Sequence, residues 1–135
     1  MQPERRSSDA IIQVIEGKFT ESGFIENIIV LGENQKYAGA IIVPDFAFLK
    51  TWCHKHEIKY TTPQEMIKNP DVKRRYAEEV KKLNQNFGDT EKIKRYELIA
   101  DEWSVNNGIL TPTLKVKRNI VKEQYKELIE TMYKD

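Results

Sequence analysis

A small α+β domain with a three-stranded, mainly antiparallel sheet and several helices packed against it is predicted by this sequence from three observations. Two β-branched and aliphatic runs, FIENIIVL (24–31) and YAGAIIV (37–43), flank the turn-forming GENQK, which is the signature of an antiparallel hairpin. Val72, Tyr76, Val80, Leu83 and Phe87 recur at helical spacing behind Asn69-Pro70, which marks an amphipathic helix. Strand-like and helix-like stretches do not alternate regularly along the chain, which argues against a doubly wound parallel sheet.

The elements follow in order. Residues 1–10 are polar, carry Pro3 and two serines, and read as a linker or disordered end, with a single domain over 11–135. Ile11, Ile12, Ile15 and Phe19 then form a helical stripe that ends between Gly17 and Glu21. After the hairpin, Pro44 stops the second strand and Asp45 can cap a helix carrying Phe46, Leu49 and Cys53 on one side. Thr62-Pro63-Gln64-Glu65 combines a capping threonine, a proline at the first helical position and a glutamate three residues after the cap. The Asn69-Pro70 helix is expected to run to Gly88. KIKRYELI (92–99) supplies the third strand, and a loop over about 100–108 leads to ILTPTLKVKR. A last helix is expected over Asn119–Tyr133, with Val121, Tyr125, Leu128 and Met132 on its buried stripe.

Composition narrows the function classes. The chain has 135 residues, enough for one self-sufficient core. Its net charge of +1 gives no long-range field for nucleic acid or an anionic membrane, so any anion site must be local. No apolar run approaches the roughly 20 residues that span a bilayer. The first ten residues lack the apolar stretch of a signal peptide. Cys53 is the single cysteine, so no internal disulfide can form, and a cytoplasmic setting is the default expectation.

Few residues point to chemistry. Lys115, Lys117 and Arg118, preceded by Thr111, Pro112 and Thr113, form the densest basic cluster. An ammonium, threonine hydroxyls and backbone amides at such a spot can hold a phosphate or carboxylate. The same letters also suit a solvated helix entry with ordinary surface lysines. Cys53, His54 and His56 invite a metal reading, but zinc takes four ligands and the chain has no second Cys/His group. A packed cysteine beside exposed histidines is the expectation there. Asp101 and Glu102 fall in a loop, Glu78 and Glu79 suit helix-surface ion pairs, and Trp103 is expected to anchor its loop to the core.

GILTPTLKVKR (108–118) resembles the closing segment of long-chain acyl-CoA synthetases, which are AMP-forming adenylating enzymes. The likeness extends to IEGKF, to FIENIIVLGENQKYAGAIIVPD, to EKIKRYELIADEW and to KRNIVKEQYKELIETMY, and so spans about residues 11–133. LTPTLK is its most specific string. The resemblance implies that the chain is the C-terminal lid domain of such an enzyme, a ligase that joins a fatty acid to coenzyme A through an acyl-AMP. ATP with Mg and coenzyme A are then substrates of the full enzyme, and none is expected on the isolated domain. The implied partner is a large N-terminal adenylation domain of the same polypeptide, which holds the phosphate loop, the adenine and ribose sites and the acyl pocket. Any membrane contact would be peripheral and made through that domain. The lid delivers a lysine to the forming adenylate and then rotates about a hinge, which is expected to precede residue 1, to help bind coenzyme A.

The lysine's implied place is four residues after a threonine. Lys115 stands so to Thr111, and Lys117 stands so to Thr113, which leaves Lys117 as a second choice. Thr111 and Thr113 are the implied phosphate- or substrate-loop residues. The superfamily's glycine just before the lysine is Leu114 here. The isolated domain is expected to be inactive. A stand-alone anion- or protein-binding module with the same fold, and a subunit that completes a split synthetase in trans, are the alternatives.

Overall fold

The computed structural model describes the backbone of residues 3–32 and 35–134, and side chains from residue 10 onward. Its elements are α1 (Pro3–Phe19), β1 (Ile25–Leu31), β2 (Ala38–Pro44), α2 (Phe46–Lys55), α3 (Pro63–Met66), α4 (Pro70–Asn84), β3 (Ile93–Leu98), α5 (Arg118–Gln124) and α6 (Lys126–Tyr133). This is the expected α+β arrangement. The turn chemistry expected at Glu33 and Asn34, and the first two residues of the expected linker, lie outside the described residues.

The sheet runs in the order β1-β2-β3. β1 and β2 form the expected antiparallel hairpin, with Ile28 opposite Ile42 and Val30 opposite Ala40. β3 departs from the antiparallel expectation and lies parallel to β2, so the sheet is mixed. The long crossover through α2, α3 and α4 permits this, because it returns the chain to the end from which β2 started. Sequence alone carries no mark of that direction.

Every residue of β2 is buried, as a central strand covered on both faces must be. Alternate residues of the hairpin therefore belong to two different cores. Ile28, Val30, Ala40 and Ile42 pack with Ile12, Ile15 and Phe19 of α1, Leu49 and Cys53 of α2, and Val72, Tyr76 and Val80 of α4. Ile29, Leu31, Ile41 and Val43 pack on the opposite face with Trp103, Ile109, Leu110, Val121, Tyr125 and Met132.

The capping signals are used as read. Asp45 Oδ1 accepts the Phe48 amide at 3.1 Å, Thr62 Oγ1 accepts the Glu65 amide at 3.1 Å, and Asn69 Oδ1 accepts the amides of Asp71 and Val72. Cys53 is fully buried with His54 and His56 exposed beside it, and burial pushes its thiol pKa up. The Tyr76 hydroxyl donates to the Phe24 carbonyl at 2.6 Å and ties α4 to the start of the hairpin. Glu79 is buried rather than paired at the surface. It meets Arg75 at 2.9 Å and accepts the Ser22 hydroxyl at 2.7 Å, while the Arg75 guanidinium stacks over Phe24.

Three boundaries differ from expectation. α1 starts at Pro3, so helical backbone runs through the stretch expected to be a linker. α4 ends at Asn84, short of Gly88. The Asn84 amide binds the backbone of Ile93 in both directions, at 2.9 and 3.0 Å, and that long-range bond fixes the stop where the sequence offered only the glycine. The last helix is broken into α5 and α6 at Tyr125, whose φ of −107° and ψ of 24° leave the helical region. The break turns the Tyr125 hydroxyl to donate to Asp101 at 2.7 Å and to accept the Trp103 indole N–H at 3.1 Å. Trp103 thereby anchors its loop, as expected.

A pH dependence follows from two phenols of this face, the buried Tyr125 and the half-buried Tyr133. Burial, with a further contribution from the Asp101 carboxylate, pushes Tyr125 up to about 12 against the opposing Trp103 N–H. Burial, together with Tyr37, likewise pushes Tyr133 up to about 12. The unfolded chain ionises these groups first, near pH 10, and so binds fewer protons than the native state above that pH. Their stabilisation is complete below about pH 10 and is lost as pH rises towards 12. Urea midpoints taken between about pH 9 and 11 should fall, and Tyr125→Phe should flatten that fall. An unchanged slope in the variant would contradict the assignment.

Candidate functional site

The basic cluster is a small hairpin standing on the second core. Ile109 and Leu110 are buried at its base, Leu110 bridges Val116, and the Lys117 amide donates to the Ile109 carbonyl at 2.8 Å. Above the base, the Thr111 amide donates to the Lys115 carbonyl at 2.8 Å and the Leu114 amide donates to the Thr111 carbonyl at 2.7 Å. Pro112, Thr113 and Leu114 form the three-residue tip. A tip of that length closes through a left-handed third residue, and Leu114 has a φ of 68°. This is the position at which the resemblance placed a glycine.

The two threonines act on the loop itself. Thr111 Oγ1 accepts the Lys115 amide at 3.0 Å and lies 3.1 Å from Thr113 Oγ1. The Lys115 backbone is thereby fixed to the opposite arm of the hairpin. Its side chain is exposed, and it joins no ion pair among the described residues. Lys117 is also exposed, but its backbone is the N-cap of α5, beneath the tip. The geometry brings Thr111, Thr113 and Lys115 together and leaves Lys117 at the foot.

Arg118 holds that foot to the rest of the domain. Its guanidinium donates to Glu16 Oε2 of α1 at 2.7 Å and to the Val30 carbonyl of β1 at 2.7 Å. The same Glu16 oxygen accepts the Val30 amide at 2.8 Å. Glu16 and Arg118 thus satisfy both outward-facing backbone groups of Val30 on an edge strand. They also join α1, β1 and the hairpin at one point. Sequence reading placed Arg118 in the cluster but missed Glu16, which lies 102 residues away. No local signal pairs them.

A cleft of about 980 Å³ separates the hairpin from α1, with Lys115 and Leu114 on one wall and Ile12, Gln13 and Gly17 on the other. Behind the hairpin, Asn107 and Ser104 exchange side chain-to-backbone bonds, and Gly108 takes a φ of 83°, so the approach to the site is built from hydrogen-bonded turns. No group of three or more His, Cys, Asp or Glu residues that could hold a metal occurs among the described residues. No helix among them is long and apolar enough to cross a membrane. What the arrangement offers is a solvent-facing Lys115 ammonium on a firmly held backbone.

The family model described as "AMP-binding enzyme C-terminal domain" matches residues 13–135. The chain is 34% identical over 122 residues to long-chain-fatty-acid–CoA ligase 6 of Homo sapiens, covering 88% of this chain and 17% of that protein. It is 26% identical over 121 residues to long-chain-fatty-acid–CoA ligase FadD15 of Mycobacterium tuberculosis, covering 89% of this chain and 20% of that protein. The fold matches the adenylation domain of a carboxylate reductase from Mycobacterium chelonae with a TM-score of 0.70 at 20% identity, over 92% of this chain and 18% of that one. The chain therefore spans about a fifth or less of the relatives it matches.

Proposed function

Because this chain belongs to the AMP-binding enzyme C-terminal domain family and is homologous to long-chain fatty acid–CoA ligases, we propose that residues 11–135 are the C-terminal lid of such a ligase, with residues 1–10 as its linker end. Its partner is a large adenylation domain of the same polypeptide, and its substrates are a fatty acid, ATP with Mg, and coenzyme A. The observation that carries this reading is the mounting of Lys115, exposed just after the tip of a braced hairpin.

In the first half-reaction a carboxylate oxygen of the fatty acid attacks the α-phosphorus of ATP. The acyl–O–P bond forms, the bond to pyrophosphate breaks, and charge builds on the phosphoryl oxygens. The Lys115 ammonium, brought in by closure of the lid, stabilises that charge in a water-poor site. Lysine suits the task as a compact charge on a flexible stem, while the hairpin beneath it stays rigid. Thr111 sets the lysine's backbone position and Thr113 supports Thr111. In the second half-reaction the sulfur of coenzyme A attacks the acyl carbonyl, the thioester forms and AMP leaves.

The 135 residues hold none of the machinery for binding adenine, ribose or the acyl chain that the resemblance assigns to the large domain, so the chain alone is expected to lack synthetase activity. An antibody against the domain tests the assignment in source cells. A native species several times larger than 15.9 kDa is expected. A species of 15.9 kDa that binds ATP or coenzyme A by itself would point instead to a stand-alone module. One that restores activity to a separate adenylation domain would point to a split enzyme.

A further inference from the structure

We propose that Leu114 is a positioning residue for Lys115: its side chain docks in an apolar recess of the adenylation domain as the lid closes, and so sets how far the ammonium reaches. This rests on the reading of the chain as that domain's lid.

The backbone makes the case. The three-residue tip requires a left-handed residue at its third position, and φ at Leu114 is 68°. Glycine enters that region freely and asparagine tolerates it, whereas a leucine there sets its Cβ against the neighbouring carbonyl. Buried contacts could offset this cost, but Leu114 is 66% exposed and belongs to neither core. Hydrogen bonding offers nothing either, since the side chain has no polar atom. Local forces thus favour glycine or asparagine at this position. A strained residue persists where something outside the local chain holds it there. The contact that favours leucine must be apolar and must lie beyond this domain.

The surface that fits is the one Lys115 approaches. Leu114 immediately precedes Lys115, and both are locked to Thr111, the leucine through its amide at 2.7 Å and the lysine through its own at 3.0 Å. The two side chains therefore advance as one unit. The chain makes up 17% of the length of a relative such as human ligase 6, so the opposing surface belongs to the remainder of such a polypeptide. An apolar contact one residue from the ammonium would also exclude water where its charge acts, which strengthens that charge.

The test is a series at Leu114 in the polypeptide that joins lid and adenylation domain, with pyrophosphate release reporting adenylation and thioester formation from supplied acyl-AMP reporting the second step. Leu114→Gly and Leu114→Asn should lower kcat for adenylation by about tenfold or more, the scale of a small misplacement, with KM for ATP within about twofold. Leu114→Met, which keeps apolar bulk, should stay near wild type, and the second step should be unchanged throughout. The thermal midpoint of the 135-residue chain should hold or rise in the glycine and asparagine variants, which separates lost docking from lost folding. Wild-type adenylation in Leu114→Gly, or an equal loss in Leu114→Met, would overturn the proposal. Lys115→Ala in the same series reports on the lid reading separately. If it abolishes adenylation while Leu114→Gly does not, the positioning role alone fails. If it is silent, the lid reading fails first.

Discussion

Lys115→Ala, in the proposed polypeptide that joins this domain to an adenylation domain, is expected to slow acyl-adenylate formation by about 10²–10³-fold, the range set by removal of one preorganised charge stabiliser. The loss should appear in kcat, because in the proposed role the ammonium meets charge that exists only in the transition state. Thioester formation from supplied acyl-AMP should survive, since the phosphoryl chemistry is then already complete. Lys117→Ala should change adenylation by no more than about twofold, as expected of a surface charge away from the chemistry. The basis is the hairpin: Lys115 leaves its tip while Lys117 caps α5 at its foot. Lys115→Arg should recover part of the rate at most, because a planar fork on a longer reach cannot reproduce a point charge. Pyrophosphate release in single-turnover conditions measures all three variants. Equal losses at both lysines, or loss at Lys117 alone, would move the assignment to Lys117.

Much of this arrangement is legible in the sequence, for reasons that can be traced to particular residues. The hairpin is readable because Ile28, Val30, Ile41 and Ile42 need a two-faced buried sheet, and a β-branched run has few other uses. The capping residues Asp45, Thr62 and Asn69 are readable because their bonds reach only two or three residues along the chain. What sequence does not show depends on contacts between distant residues. The parallel entry of β3 is set by where a long crossover returns. The end of α4 is set by Asn84 gripping Ile93, and the break at Tyr125 by the hydrogen bonds of its hydroxyl to Asp101 and Trp103. The candidate site divides the same way. The cluster of Thr111, Thr113 and Lys115 is visible as letters, because the turn is local. The strained backbone under Leu114 and the anchor at Glu16 are not, because one is a conformation and the other spans 102 residues.

That anchor yields the second large effect. Arg118→Ala should destabilise the 135-residue chain by about 3 kcal/mol, the lower end of the cost of breaking a buried ion pair, because both side chains are partly buried at 30% and 22% exposure. The loss exceeds that of a surface pair because three groups lose their partner together. Glu16 keeps a carboxylate without its cation, the Val30 carbonyl loses its donor on the sheet edge, and α1 loses its tie to α5. Glu16→Gln should cost less, since an amide oxygen can still accept the Val30 amide while the charge is gone. Urea unfolding of both single variants and the double variant measures the coupling, which should be about 1 kcal/mol or more for groups in direct contact. A coupling near zero would show the pair to be incidental. Function should follow stability here in a specific way. The hairpin keeps its own bonds above Lys117 but loses its fixed angle to α1, so adenylation should fall less than in Lys115→Ala and should recover in part with Arg118→Lys, which restores a cation without the two-pronged grip. A variant that unfolds less than expected yet loses adenylation as fully as Lys115→Ala would instead place Arg118 among the groups that touch substrate.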